Sequence, residues 1–234
     1  MMLSTPGLVL HTSPYSESSV VVKVFTRQLG LRSYIIKGVR GPRGRVKQNL
    51  LQPLSSLDMV VYDNDKTDLN YVKELSARFP STEANPVANS LRFFMTELLY
   101  KALRESEPMP ALYDYVENAS SHLSTHAAHL PISFLLTVAH HLGIEPLDNY
   151  SAREPYFCLE EGRFVAAPNE TSLSPNLSAV LHEYLSGIQS FTCPVSLSLQ
   201  SRRDLIDALI SYYHLHLSGF SRFHSHEILH TILK

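Results

Sequence analysis

The chain has 234 residues, of which 44% are hydrophobic and 18% charged, a composition typical of ordinary globular proteins. No apolar run reaches the roughly 20 residues that cross a bilayer, and we expect no signal peptide in the first 17 residues. The net charge of −2 hides an asymmetry, because residues 1–50 carry +7 and the rest of the chain −9. This asymmetry indicates a module for a polyanion joined to an acidic part.

The first 80 residues have the pattern of short β-strands separated by turn formers. A glycine, Gly30, follows Gln28-Leu29 at the predicted turn between the second and third strands, where it allows positive φ. Five strands in so short a stretch predict a small barrel such as the OB-fold. The predicted strands cover residues 7–11, 19–26, 31–37, 57–62 and 69–79.

A helical period replaces the β pattern after Pro80, which predicts a helical domain over 81–234. Between 150 and 172 the period lapses, and Tyr156–Cys158 with Arg163–Val165 predict a small hairpin. The fold class is therefore α+β, an OB-fold barrel over 1–80 followed by an all-helical domain with a hairpin insertion. The predicted helices cover residues 86–104, 110–124, 131–142, 174–187, 196–217 and 224–233.

The segment from residue 37 to 47, KGVRGPRGRVK, is the main candidate for binding chemistry. It holds five cations and no acid among glycines and a proline, so it cannot pack into a core but suits a phosphate backbone. It lacks the GxxxxGK(S/T) spacing of a nucleotide-binding loop. The predicted phosphate contacts are Lys23, Arg32, Lys37, Arg40, Arg43, Arg45 and Lys47.

Aromatic rings near these cations are candidates for base stacking. Tyr15, Phe25, Tyr34 and Tyr62 lie in or near the β segment, and alternation along the third strand selects Tyr34. The residues thus predict a single-stranded nucleic-acid-binding protein, with a protein-docking adaptor that does not bind DNA as one alternative.

A second alternative is a zinc-dependent hydrolase, because His226, Glu227 and His230 spell HExxH. In that motif two histidines bind metal and the glutamate acts as base. Only four residues follow His230, whereas the third ligand usually comes from further along the chain. We therefore expect a polar face of a terminal amphipathic helix, no catalytic residue and no enzyme.

The opening of the chain carries Tyr15-Ser16-Glu17, a glycine at position 30, and Lys37-Gly38-x-Arg40, followed by Leu51-Gln52-Pro53-Leu54. Its end carries Tyr212-Tyr213-His214 and Ser225-His226-Glu227-Ile228-Leu229. In their order and spacing, these motifs resemble those of the RecO family of recombination mediators.

The two cysteines, Cys158 and Cys193, do not make a disulfide framework, which favours a reducing cytoplasm. The resemblance implies a nucleoid-associated protein of homologous-recombination repair. Such proteins bind single- and double-stranded DNA, anneal complementary strands and, with RecR, help RecA replace the single-strand-binding protein. They also dock that protein's acidic C-terminal tail on the helical domain. For this chain, Arg202 and Arg203 are the candidates for tail docking.

One departure concerns the four-cysteine zinc module that many family members carry. Cys158 matches the first position of a CxxCG motif, but Glu161 stands at the second, and no cysteine occurs between 159 and 192. Structural zinc sites usually have four ligands rich in sulfur. We therefore expect no zinc or other cofactor, a hairpin held by packing alone, and Cys158 as a small buried apolar residue.

Overall fold

The computed structural model describes most of the chain as two compact units. The first comprises Met1–Ala84 and Met95–Ser121, and the second comprises Asn85–Phe94 and His122–Lys234. The described residues are 2–39, 48–64, 67–79, 85–104, 107–187 and 197–232.

Five strands of the first unit form a closed barrel in the order β1-β2-β3-β5-β4. All neighbouring strands are antiparallel except β3 and β5, which are parallel. This confirms the predicted five-stranded OB-fold. The strands are β1 (Met2–Pro14), β2 (Val20–Thr26), β3 (Gly30–Ile36), β4 (Ser56–Tyr62) and β5 (Leu69–Ala77), with a short 3-10 helix over Gln48–Leu51.

The β-branched and apolar residues of these strands fill the barrel, as their β propensity suggests. The core includes Val22, Val24, Leu57 and Val61, none of which exposes any surface. The turn between β2 and β3 requires glycine at position 30, where φ is +69° and a Cβ would lie 2.2 Å from the backbone oxygen of Glu107. The predicted hairpin turn is therefore fixed by backbone geometry.

Two helical segments complete the first unit, namely the C-terminal half of α1 (Pro86–Ala102) and α2 (Pro110–Ser121). Arg27 on the barrel donates bidentate hydrogen bonds of 2.7 and 2.9 Å to Asp114 of α2. Phe25 and Tyr113 pack with ring centroids 5.7 Å apart. The compact units thus do not coincide with a division at residues 80/81, because α2 packs with the barrel.

Among its described residues, the second unit has helices and the two-stranded β6–β7 hairpin, as predicted. Its largest packed pair is α3 with α5, in which Tyr213 donates a 2.7 Å hydrogen bond to the backbone oxygen of Leu135. Ser174 and Ser198 accept hydrogen bonds at the first turns of α4 and α5, which satisfies otherwise unpaired N–H groups. The elements are α3 (Leu130–His141), β6 (Tyr156–Cys158), β7 (Arg163–Val165), α4 (Pro175–Ser186), α5 (Leu199–His216) and α6 (Ser225–Ile232).

Candidate nucleic-acid interface

The predicted phosphate-binding cations fall into two groups. Lys23 lies on β2, Arg32 on β3 and Lys37 directly after β3. The other four, Arg40, Arg43, Arg45 and Lys47, lie outside the described residues. The geometry of the site therefore rests on the first three cations and on the side chains around them.

Lys37 has the geometry that suits a backbone phosphate best among these three. Its side chain is exposed, and its Nζ lies 5.3 Å from the centroid of the Tyr71 ring. An exposed cation–π contact contributes only about 0.5–1 kcal/mol. The ammonium group can therefore leave the ring for a phosphate at small cost.

Tyr71 belongs to a row of exposed apolar side chains on three adjacent strands. Tyr71 of β5 pairs with Tyr62 of β4, and Tyr62 pairs with Met2 of β1. These side chains are 48%, 49% and 56% exposed, respectively. A base stacked on such a ring contributes about 1–3 kcal/mol, which exceeds the contact that the lysine would give up.

Arg32, unlike Lys37, lies in a largely buried ion pair. Its Nε lies 3.6 Å from the Oδ1 atom of Asp63, and the two side chains are only 16% and 8% exposed. Removing one partner of a buried ion pair leaves an uncompensated charge, which is costly. Arg32 therefore has less freedom to turn toward a phosphate, and its predicted contact stays a prediction.

Lys23 lies beside a second aromatic pair. Its Nζ is 5.5 Å from the ring centroid of Tyr100, and the rings of His11 and Tyr100 are 5.0 Å apart. His11 pairs with Lys23 across β1 and β2. Lys23 is half-buried, so its charge is less accessible than that of Lys37.

The prediction that Tyr34 stacks on bases is wrong. Its side chain lies in the barrel core with 0% exposure, so no face of the ring is open to a ligand. Burial, followed by the charge of Asp63, raises the pKa of the Tyr34 hydroxyl. The sequence of β3 does not show which side chains point inward, because residues on both of its faces are buried.

The exposed ring that sequence reasoning missed is Tyr71. The sequence could have indicated this ring, because the predicted strands 57–62 and 69–79 are joined by a short connection. A hairpin with such a connection places Tyr62 opposite Tyr71. Asn70 explains the outward position of its neighbour. It is buried, and its Oδ1 accepts a 2.9 Å hydrogen bond from the backbone N–H of Asn64.

The two arginines predicted to dock a partner tail begin α5 in the second unit. Both are partly buried, and Arg203 donates a hydrogen bond to the backbone oxygen of His230 on α6. Tail docking by Arg202 and Arg203 stays a prediction.

The HExxH residues face an aspartate. The Nε2 atoms of His226 and His230 lie 3.8 and 3.4 Å from the Oδ1 atom of Asp207, whereas Glu227 is exposed. Burial raises the pKa of Asp207, and the two histidines offset part of that shift. Over the part of the chain that the structure describes, no group of three His, Cys, Asp or Glu side chains has the arrangement of a metal site.

Cys158 lies in the β6–β7 hairpin, at the last residue of β6. It is fully buried, and its sulfur accepts a 3.2 Å hydrogen bond from the Asn169 amide. Desolvation raises the pKa of the thiol, but hydrogen bonds from the backbone at Glu161, from Thr171, from Asn169 and from the backbone at Glu160 together lower it. The expectation that this hairpin holds no zinc stays a prediction.

The expectation that packing alone holds this hairpin is wrong. Besides the hydrogen bonds to Cys158, the backbone N–H of Phe157 donates a 2.8 Å bond to the hydroxyl of Ser178. Gly162, with φ of +66°, closes the turn. Cys158 is accordingly buried, but it is a hydrogen-bond acceptor as well as an apolar side chain.

None of the described helices is both long and apolar enough to span a membrane. The chain matches two family models, described as Recombination protein O N terminal over residues 1–79 and Recombination protein O C terminal over residues 84–225.

Curated relatives match the chain over nearly its whole length. DNA repair protein RecO of Porphyromonas gingivalis is 29% identical over 243 residues, and that of Christiangramia forsetii is 26% identical over 238 residues. DNA repair protein RecO of Azobacteroides pseudotrichonymphae is 24% identical over 239 residues. Each match covers 99% of this chain and 99% of the relative. The chain therefore belongs to the recombination protein O family and has a role in DNA repair and recombination.

Proposed function

We propose that the chain is a non-enzymatic recombination mediator that binds single-stranded DNA through its barrel. It anneals complementary strands and helps to exchange the single-strand-binding protein for a recombinase, together with RecR. The observation that carries this proposal is the exposed Lys37 beside the exposed ring of Tyr71. These residues place a charge for a phosphate next to a face for a base.

Annealing follows from the same charges. Two DNA strands repel each other, and cations that neutralise their phosphates lower that repulsion. Contacts to phosphates position a strand without reading its sequence, so the base edges stay available for pairing. Contact with phosphates alone suits the cation-rich segment from Lys37 to Lys47, which contains lysines and arginines but no acidic residue.

We also propose that the chain acts in the cytoplasm, at the nucleoid, and without a metal cofactor. The sequence supports the second part, because Glu161 stands at the second position of the CxxCG motif and no cysteine occurs between 159 and 192. Double-stranded DNA is a further partner, and Arg202 and Arg203 are proposed to receive the acidic tail of the single-strand-binding protein.

The test is the salt dependence of affinity for a single-stranded oligonucleotide. If about six phosphates are engaged, the slope of log affinity against log salt is near −4. Replacing Arg40, Arg43 and Arg45 together with glutamine removes three of these contacts, so we expect a slope of about −2 and slower annealing.

A matched control removes three positive charges from the second unit, at Arg92, Arg153 and Arg222. This control variant keeps the wild-type slope, because the proposed contacts are all on the barrel. Equal losses in both variants would show a general charge effect. A wild-type chain that binds no oligonucleotide at low salt would favour the protein-docking adaptor.

A further inference from the structure

Met2, Tyr62 and Tyr71 form an exposed apolar row whose exposure the packing of the barrel does not explain. Each side chain stands on the outer face of the closed barrel and is about half exposed, although the unit has a filled core of its own. Single exposed apolar residues are ordinary, whereas contiguous ones mark interaction sites.

Two lysines flank this row. Lys37 lies over the Tyr71 ring at 5.3 Å, and the Nζ of Lys73 lies 3.8 Å from the Met2 sulfur. The charge of Lys73 is partly offset by Glu74, whose Oε1 is 3.6 Å away. The row therefore combines flat apolar faces with ammonium groups, and this combination matches the bases and phosphates of an unpaired strand.

We propose that Tyr62 and Tyr71 form a base-stacking platform through which the barrel binds an unpaired strand more tightly than a duplex. This inference rests on the proposed function and adds the residues and the physical basis of selectivity. In a duplex the bases stack on one another, so their faces are closed to a protein ring. An unpaired strand exposes those faces, and every base has one, so stacking tolerates any sequence.

Lys37 exchanges partners when the strand binds. Its ammonium group leaves the ring of Tyr71 for a phosphate, and a base takes its place over the ring. In one nucleotide, the base therefore contacts the ring and the phosphate contacts Lys37. An experiment can test these two contacts separately.

The chain contains no tryptophan, so a single substitution introduces a unique fluorescent reporter. In the Tyr71→Trp variant, we expect an oligothymidylate to quench the indole emission, because the base stacks on the ring. An oligomer of the same length with abasic sugars supplies phosphates without bases and does not quench the emission. The Tyr15→Trp variant is the matched control, since Tyr15 is 58% exposed but lies outside the row. Quenching at position 15 alone would overturn the proposal.

The affinity of alanine variants supplies the second readout. We expect the Tyr62→Ala/Tyr71→Ala double variant to bind oligothymidylate at least about thirty-fold more weakly. Duplex affinity, abasic-oligomer affinity and the salt slope stay at the wild-type values. The Tyr62→Phe/Tyr71→Phe variant retains the affinity, because phenylalanine also stacks.

Failure of this inference is distinct from failure of the proposed function. If the double alanine variant binds oligothymidylate as well as wild type, stacking is excluded while phosphate binding stands. If the unsubstituted chain fails to bind any oligonucleotide, the proposed function itself fails.

Discussion

The outer face of β4–β5 and the β6–β7 hairpin use similar side chains in opposite ways. On the barrel, Tyr62 and Tyr71 project into solvent beside Lys37. In the hairpin, Phe157 and Phe164 are fully buried, with rings 5.1 Å apart, and Asn169 bonds to the sulfur of Cys158. The side chains of the hairpin contact one another inside the fold, whereas those of the barrel face are exposed to solvent.

The largest expected effect tests the hairpin as a packed element. Phe157 has 0% exposure, so Phe157→Ala should lower the free energy of unfolding by about 3–5 kcal/mol through lost burial and a cavity. Denaturant unfolding measures this change. The control is Phe93→Ala, because Phe93 is 52% exposed in the same unit and its loss should change stability by less than about 0.5 kcal/mol. Similar values for both variants would remove the distinction between inward and outward rings.

A smaller effect is expected from the polar network of the same region. Asn169 donates to the Cys158 sulfur and accepts a 3.0 Å bond from the backbone N–H of Thr171. We expect Asn169→Ala to cost about 1 kcal/mol, because the buried sulfur of Cys158 loses a hydrogen-bond donor, and to speed modification of Cys158 by a thiol reagent. Asn176→Ala, at an exposed position of α4, is the control for unfolding. A cost equal to the control would restore packing alone as what holds the hairpin.

Tyr34 sharpens the comparison within the barrel. Its hydroxyl is buried and has no hydrogen-bond partner among the described residues, so Tyr34→Phe should stabilise the fold by up to about 1 kcal/mol. Affinity for single-stranded DNA should not change, since the ring cannot reach a base. Thermal unfolding measures the stability, and an oligonucleotide titration measures the affinity. Weaker DNA binding with an intact fold would return Tyr34 to the interface.

The smallest effect concerns acid stability of the helical unit. Burial, and then the charges of Arg202 and His126, lower the pKa of His129. The unfolded chain therefore takes up the proton first, and stability present above pH 6.5 is lost as the pH falls below it. His129→Gln should reduce this loss in unfolding experiments between pH 7.5 and 5.5. His122→Gln provides the comparison, and an equal reduction there would contradict the assignment to His129.

The fold was predictable because its signals are local. The β-branched run of β2 and the helical spacing of α3 and α5 gave elements within a few residues of those observed. The outward or inward direction of individual rings was not predictable, since side chains on both faces of β3 are buried and Tyr71 is turned outward by the buried side chain of Asn70. The network around Cys158 was hidden for a similar reason. It joins residues of two turns, and no spacing rule identifies an amide that donates to a sulfur.

Ultraviolet cross-linking of the full chain to oligothymidylate, followed by mapping of the linked peptides, tests the central claim most directly. A base stacked on an aromatic ring cross-links at that ring, so the account predicts adducts on the peptides that contain Tyr62 and Tyr71, with none on the hairpin from Tyr156 to Val165. Adducts confined to the helical unit, with the β4–β5 face unlabelled, would contradict it.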